Sequence, residues 1–330
     1  MPTREHLLEA GPDDDGRRFD RVLFKAFPEM SRTVIFRLIR KGLARLDDKK
    51  STCNQTVHKG DRITIRYSAS VEDISVKNNK EKSAAKSATK KSELSNSLEI
   101  LYQDNNIIAL NKPAGVPAHG PGSLEQEVIH IWERTNPTSI SFRPGPIHRL
   151  DRNTSGIQLF SLSLTGARLF SRFFQEHALK KIYCGIVQGI IERSTVWEDF
   201  LLHDKNTRTS LESTRDNGKS AITQVFPVTH AIPIGPAMAN GQGYSMVLFM
   251  PKTGRTHQIR LQAQIHGHPL SGDKKYGGNQ DIQGYLLHAI ALSITVKDYP
   301  FPDIMAPLPL EDRKMITSIF GNNCIDLLST

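Results

Sequence analysis

The run His148-Arg149-Leu150-Asp151-Arg152-Asn153-Thr154-Ser155-Gly156 sets one carboxylate between two arginines, just ahead of an apolar stretch that reads as a strand. An acid so flanked stays ionised and is aimed by its cationic neighbours, which suits a nucleophile or a charge stabiliser. Asp followed by Asn-Thr-Ser-Gly is also good turn chemistry, and taken alone Asp151 reads first as a turn residue. The rest of the chain has to decide between the two.

Outward from this loop, short strands dominate. Gly156–Leu162 follows it directly, and Ile107–Leu110 precedes it, running into Lys112-Pro113. Alternation or apolar runs predict further strands at Lys181–Val187, Ala221–Val228, Ser245–Met250 and Leu286–Val296. Helices are sparse: one capped at Ser163 and carrying Leu169, Phe170, Phe173 and Phe174, another over Thr256–Ile265 after the Lys252-Thr253-Gly254 turn. Many strands with few helices imply an α+β fold, a mixed, largely antiparallel sheet with flanking helices.

The chain has 330 residues, 38% hydrophobic and 23% charged, the composition of a packed globular protein with two domains or one domain and an appendage. No apolar run approaches the ~18 residues a membrane span needs. Met1–Gly16 has neither the apolar core of a secretory signal nor an Arg-rich transit character. Cys53, Cys184 and Cys324 lie far apart without a C-x-x-C pair, which speaks against a disulfide framework or a zinc site. The expectation is a cytoplasmic protein with no membrane partner.

The net charge of +9 is unevenly placed. Residues 17–67 hold fourteen Lys or Arg against five Asp or Glu, a local net of +9. A small basic module on a near-neutral body is the electrostatic footprint of a nucleic-acid binder. Within it, a first helix is expected to end near Pro28, and Ser31 caps a second. Val34, Ile35, Leu38 and Ile39 share one face of that helix, with Arg32, Arg37, Arg40 and Lys41 opposite and Gly42 closing it. Two short strands follow, near Leu43–Leu46 and Asp61–Tyr67. The organisation read from this is a tail at 1–16, an α+β module at 17–67, a lysine-rich linker at 68–96 whose composition cannot support a core, and a second domain at 97–330.

Three further features carry possible chemistry. Gly254-Arg255-Thr256-His257-Gln258-Ile259-Arg260 joins guanidiniums to a helix start, an anion site fit for a phosphate or for a carboxylate such as Asp151. Tyr183 alternates with small and apolar residues on its strand, where a tyrosine ordinarily packs in a core. His257, His266 and His268 stand near Asp273, but with no H-E-x-x-H pattern or cysteine partner no metal is expected. Phosphate-loop, G-x-G-x-x-G and G-x-S-x-G motifs are absent, so hydride and phosphoryl transfer are unsupported.

Taken together these blocks resemble the RluA-type pseudouridine synthases. Pro146 to Gly156 is similar to the block that carries the family's catalytic aspartate, Lys181-Ile182-Tyr183 with Val187-Gln188-Gly189 to its tyrosine strand, and Thr253 to Arg260 to its third block. Asn111-Lys112-Pro113-Ala114-Gly115, Gly218-Lys219-Ser220-Ala221, Gly267-His268-Pro269 with Gly272-Asp273, and Leu287-His288-Ala289 add to the match, in family order. Residues 17–67 resemble the S-four-type RNA-binding module that often precedes this catalytic domain. Departures are a long Ala231–Gly243 segment, a long linker, and Ile294–Asp298 without the usual aromatic-x-His-Pro pattern.

The resemblance implies isomerisation of uridine to pseudouridine without metal or cofactor. Asp151 would be the nucleophile or the base that starts elimination at the sugar, and Arg260 would hold it through a bidentate contact. Tyr183 would stack on the uracil and relay a proton, and Arg149 would fill the vacated stack or hold a phosphate. Arg255, Lys112 and the basic face of Arg32, Arg37, Arg40 and Lys41 would contact phosphates. The implied partner is RNA, of the large ribosomal subunit because family members with this module generally act there, with transfer RNA as the alternative; the protein is expected to be a monomer. A catalytically silent RNA-binding assembly factor would lack Asp151, Tyr183 or Arg260, and all three are present. A glycoside hydrolase would need a second carboxylate, which these blocks do not offer.

Overall fold

In a computed structural model of the chain, residues 3–68, 98–135, 140–204, 207, 209–232, 243–279, 284–296 and 301–328 are described. The expected linker at 68–96 lies outside them apart from Ser68, and so does most of the long Ala231–Gly243 segment.

The N-terminal unit is built from β1 (Thr3–Glu9), β2 (Arg17–Arg18), α1 (Phe19–Ala26), α2 (Arg32–Arg40), β3 (Ala44–Leu46), β4 (Lys49–Lys50), β5 (Thr56–Val57) and β6 (Arg62–Ser68). Ser31 caps α2 as its sequence suggests, its Oγ accepting from Val34 N–H at 3.3 Å. Gly42 takes φ +68 and ends the helix by donating its N–H to the Ile39 carbonyl at 2.9 Å. Val34, Ile35, Leu38 and Ile39 are buried together with Phe19, Val22, Leu23, Ile63 and Ile65. The four strands β1-β6-β3-β4 form the sheet beneath, and β2 pairs with β5.

The tail expected at 1–16 is corrected by this arrangement. Strand β1 pairs along all of β6, from Thr3 opposite Ser68 to Glu9 opposite Arg62. Only His6 and Leu8 turn partly inward, His6 stacking on Tyr67 and Leu8 packing on the core, so the strand has too short an apolar alternation to be seen in sequence. The acidic stretch after it is also engaged. Buried Asp14 accepts from Gly11 N–H (2.9 Å), Ile140 N–H (3.3 Å) and Ser141 N–H (3.0 Å) and from the Ser141 hydroxyl, and Asp13 accepts from Leu164 N–H at 2.7 Å. Asp13 and Asp14 thus join the N-terminal unit to the second one.

The second unit runs β7 (Glu99–Gln103), β8 (Ile107–Lys112), α3 (Leu124–Thr135), β9 (Gly145–Pro146), β10 (Ser155–Ser161), α4 (Leu164–Gln175), β11 (Leu179–Gln188), β12 (Thr195–Asp204), β13 (Thr209–Glu212), β14 (Lys219–Ala231), β15 (Tyr244–Pro251), α5 (Gln258–Ile265), β16 (Leu287–Ile294), β17 (Ile304–Met305) and α6 (Leu310–Phe320). Its sheet is ordered β13-β12-β14-β15-β11-β16-β10-β8-β7, with β9 added on β10 and β17 on β16. All described pairings are antiparallel except β10 with β16, so the expected mixed, largely antiparallel α+β fold is what forms.

Pleating sorts the side chains. On β8, Ile107 and Ala109 pack with Phe170 and Phe173 of α4, while Ile108 and Leu110 pack with Leu124 and Val128 of α3. On β11, Tyr183 and Val187 face Ile259 and Ala263 of α5, while Cys184 and Ile186 face the cluster that holds Ile316 of α6. The parallel contact demands a glycine. Gly156 has φ +100, and a Cβ there would lie 2.6 Å from Ala289 N and closer still to its carbonyl oxygen. The strand after Asp151 therefore lies backbone against backbone on β16.

Candidate active site

The Asp151 loop, between β9 and β10, is fixed from three sides. Thr154 N–H donates to the Asp151 carbonyl at 3.1 Å, which is the turn its sequence suggests. Gln158 of β10 reaches back: its Oε1 accepts from Leu150 N–H at 3.0 Å and its Nε2 donates to the His148 carbonyl. From behind, the Lys112 ammonium donates to the carbonyls of Pro113 (2.9 Å), Val116 (2.8 Å) and Arg152 (2.9 Å). Lys112 has no exposed surface, so the phosphate contact expected of it is corrected. The end of β8 turns the side chain inward, where it holds the backbone beside Asp151. Burial pulls its ammonium down to about 8, against the favourable charge of Asp151.

Arg260, on the first turn of α5, donates from Nη1 to Asp151 Oδ2 at 3.0 Å. The bidentate contact expected here is made with a different acid. Nε donates to Asp273 Oδ2 at 2.7 Å and Nη2 to Asp273 Oδ1 at 2.8 Å. A guanidinium presents that edge to one carboxylate, and Nη1 is left for the other. The Arg260 guanidinium carbon also lies 4.5 Å from the Tyr285 ring centroid and 5.0 Å from that of Tyr276. Burial opposes its charge, but the bonds to Asp273 and the nearby negative groups outweigh it and raise its pKa.

Tyr183 stands on β11 where the pairing with β16 shifts register, opposite Ala289. It is buried, and burial followed by the charge of Asp151 raises its hydroxyl pKa, so the ring carries a neutral hydroxyl at physiological pH. Asp151, Tyr183 and Arg260 line one cleft of about 1100 Å³. Exposed Arg149 and Arg255 line it too, Arg255 donating from Nε to the Ser220 carbonyl at 2.9 Å. Arg32, Arg37, Arg40 and Lys41 are exposed on α2 but do not line this cleft.

Residues 106–264, which take in Asp151, Tyr183 and Arg260, match the sequence profile of the RNA pseudouridylate synthase family. That segment is an RNA pseudouridylate synthase domain. Across 326 residues the chain is 28% identical to the ribosomal large subunit pseudouridine synthase C of Vibrio vulnificus, covering 96% of this chain and 97% of that protein. It is 28% identical over 243 residues to the ribosomal large subunit pseudouridine synthase D of Borreliella burgdorferi, covering 70% and 71%. The fold is similar to that of human RNA pseudouridylate synthase domain containing 1, with a TM-score of 0.53 at 24% identity over 65% of this chain and 85% of that one.

Several residues around the synthase domain's cleft escape a reading of the sequence. His257, which the sequence sets in the Gly254–Arg260 block and in a possible metal group without a role of its own, caps α5 in the left-handed region at φ 53. Tyr276 Oη accepts from Ser210 N–H at 3.0 Å and lies 2.7 Å from His257 Nδ1. The other ring nitrogen, Nε2, faces Asp151 Oδ1 at 3.9 Å. Burial, with Arg260 and Lys275, lowers the His257 pKa and keeps the ring neutral. The other two histidines go elsewhere: His266 to Asp199 at 3.2 Å and His268 to the Gln188 carbonyl at 3.0 Å. The role of Asp273 had a signal in the Gly272-Asp273 block, thirteen residues beyond Arg260.

Two further histidines, His148 in the cleft wall and His288 behind it, are held neutral. His148 Nε2 accepts from Leu159 N–H at 3.2 Å, and burial with the charge of Lys181 brings its pKa down to about 3. His288 Nδ1 lies 2.8 Å from Ser155 Oγ, and burial brings it to about 4. An unfolded histidine titrates near 6.5, so between that pH and these lowered values the unfolded chain binds more protons and stability falls as pH falls. Each site contributes a slope of about 1.4 kcal/mol per pH unit in that window. Denaturant unfolding of a His148→Gln variant between pH 6.5 and 4 is expected to show a shallower loss than the unmodified protein; an identical slope would contradict the neutral assignment.

Proposed function

We propose that this enzyme isomerises uridines to pseudouridine in large-subunit ribosomal RNA, with Asp151 as its catalytic residue. The observation that carries the assignment is the Asp151–Arg260 pair in the wall of an open, cation-lined cleft within the synthase domain. The relatives' names supply the RNA class.

The reaction conserves every atom. The N1–C1′ bond breaks, the uracil turns, and C5 bonds to C1′ as the C5 proton leaves and N1 takes one up. Oδ2 of Asp151 is engaged by Arg260, which leaves Oδ1 to meet the ribose, with His257 Nε2 beyond it. Arg260 pairs with the acid and, being itself locked on Asp273, fixes its direction. Tyr183 presents a protonated hydroxyl and a ring that stacks on the base; the raised pKa makes it a donor rather than a phenolate base. A uridine in folded RNA has to leave its stack to reach these groups. Arg149, exposed two residues before Asp151, fills the gap it leaves, and Arg255 holds a phosphate at the rim.

Residues 3–68 act in this reading as an S-four-type RNA-binding module in a monomeric cytoplasmic protein. Its exposed α2 cations carry the sequence-independent attraction. Replacing Arg32, Arg37, Arg40 and Lys41 together with Gln is expected to weaken RNA binding at low salt and to reduce the salt slope by up to about 3.6, at roughly 0.7–0.9 for each lost phosphate contact. An unchanged slope would mean that α2 meets something other than RNA. The function as a whole is tested by mapping pseudouridines across total RNA from cells with and without the protein. Loss of one or more sites in large-subunit ribosomal RNA is the expected result. An unchanged map would overturn the assignment, and losses confined to transfer RNA would move the substrate there.

A further inference from the structure

Among the described residues, Lys181 is a cation without a counter-ion. It lies on β11 two residues before Tyr183, lines the same cleft, and is partly buried. Among the described residues no carboxylate or carbonyl pairs with its ammonium, in contrast to Lys112, which has three carbonyl acceptors. What surrounds it is apolar or neutral. Nζ sits 5.0 Å from the centroid of the Phe174 ring, and the nearby His148 is uncharged. On another side is the Gly254 turn, where a Cβ would lie 4.0 Å from Nζ; the glycine leaves that space open.

A buried charge normally has a partner, because removing an ammonium from water is costly. Here burial brings Lys181 down to about 8, which still leaves it mostly protonated at neutral pH. The cleft supplies no acid for it, since Asp151 and Asp273 are both taken by Arg260. The remaining charged lining, among it Arg149, Arg152, Lys252, Arg255 and Lys274, is cationic. An anion that pairs with it comes from outside the cleft's own side chains, and the substrate carries one. Resting on the synthase reading above, we infer that Lys181 binds a backbone phosphodiester of the RNA beside the target uridine. A lysine suits one phosphate oxygen as a point charge, and the Phe174 face beneath it aims the ammonium into the open space beside Gly254.

Lys181→Gln and Lys181→Arg in the full chain test this, with thermal melting to confirm folding; if Gln lowers the melting point, Lys181→Met keeps the stem over Phe174. Binding of single-stranded oligouridylate is measured across about 50 to 200 mM salt. The Gln or Met variant is expected to bind about tenfold more weakly at low salt and to lose about 0.7 of the salt slope, while Arg stays near the parent. With a large-subunit ribosomal RNA transcript tritiated at uridine C5, tritium release should show KM raised about tenfold and a far smaller change in kcat. An unchanged affinity and slope would overturn the phosphate assignment, and so would a collapse of kcat at constant KM, which would place Lys181 in the chemistry. If the unmodified protein releases no tritium, the isomerase reading fails, and the oligouridylate slopes still decide the role of Lys181.

Discussion

Asp151→Asn is expected to abolish pseudouridine formation, lowering kcat/KM by at least about 10⁴-fold, while RNA binding changes by no more than about threefold. The amide keeps the size of the carboxylate and can still accept from Arg260 Nη1, so the loop keeps its turn through Thr154 and its staple through Lys112. What it loses is the anionic Oδ1, the oxygen left for the ribose. Arg260 remains balanced by Asp273, and the fold has no new uncompensated charge. Tritium release from C5-labelled transcript reads the chemistry, and a filter-binding isotherm reads the RNA. Activity within tenfold of the parent would remove Asp151 from its proposed role.

Asp273→Asn should damage both fold and site. Asp273 is 1% exposed, accepts from Arg260 Nε and Nη2, and takes Lys275 N–H at 3.2 Å. Removing its charge leaves the guanidinium in a buried setting with only Asp151 opposite. Breaking one side of a buried pair typically costs about 3–5 kcal/mol. The surviving Arg260 is then free to turn, and a misaimed Asp151 should cost on the order of 10²-fold in kcat. Denaturant unfolding and tritium release check the two parts separately. An unchanged unfolding midpoint together with unchanged kcat would show that Asp273 holds nothing.

Much of this site is legible in the chain before any coordinates, and the reasons differ residue by residue. The Asp151 turn and the α2 cap are local, since Asn-Thr-Ser-Gly and Ser31 act within a few residues of themselves. The strands β8, β10, β11, β15 and β16 show because their apolar periodicity is long. By contrast β1, β12 and β13 offer few inward apolar residues, with Val196, Leu202 and Leu211 outward, and pass unnoticed. The amphipathic helix α3 was likewise unmarked ahead of the loop. At the site, the Asp151–Arg260 pairing was foreseeable, but which acid takes the two-pronged edge of Arg260 depends on where Asp273 returns in space. The misassignment of Lys112 has the same origin: a lysine near an active loop reads as a substrate contact until the pleat of β8 turns it inward.

The crossing of Gly156 over Ala289 also sets an order of events during synthesis. That contact joins residues 133 apart, and the Asp151–Arg260 pair spans 109. A ribosome making this chain releases the α2 cations early, but Asp151 cannot meet Arg260 until α5 has emerged from the exit tunnel, nor can Gly156 seat on Ala289 until β16 follows. On the RNA-binding role proposed for those cations, a nascent or prematurely ended chain grips RNA long before it can alter it, competing with finished copies for the same transcripts.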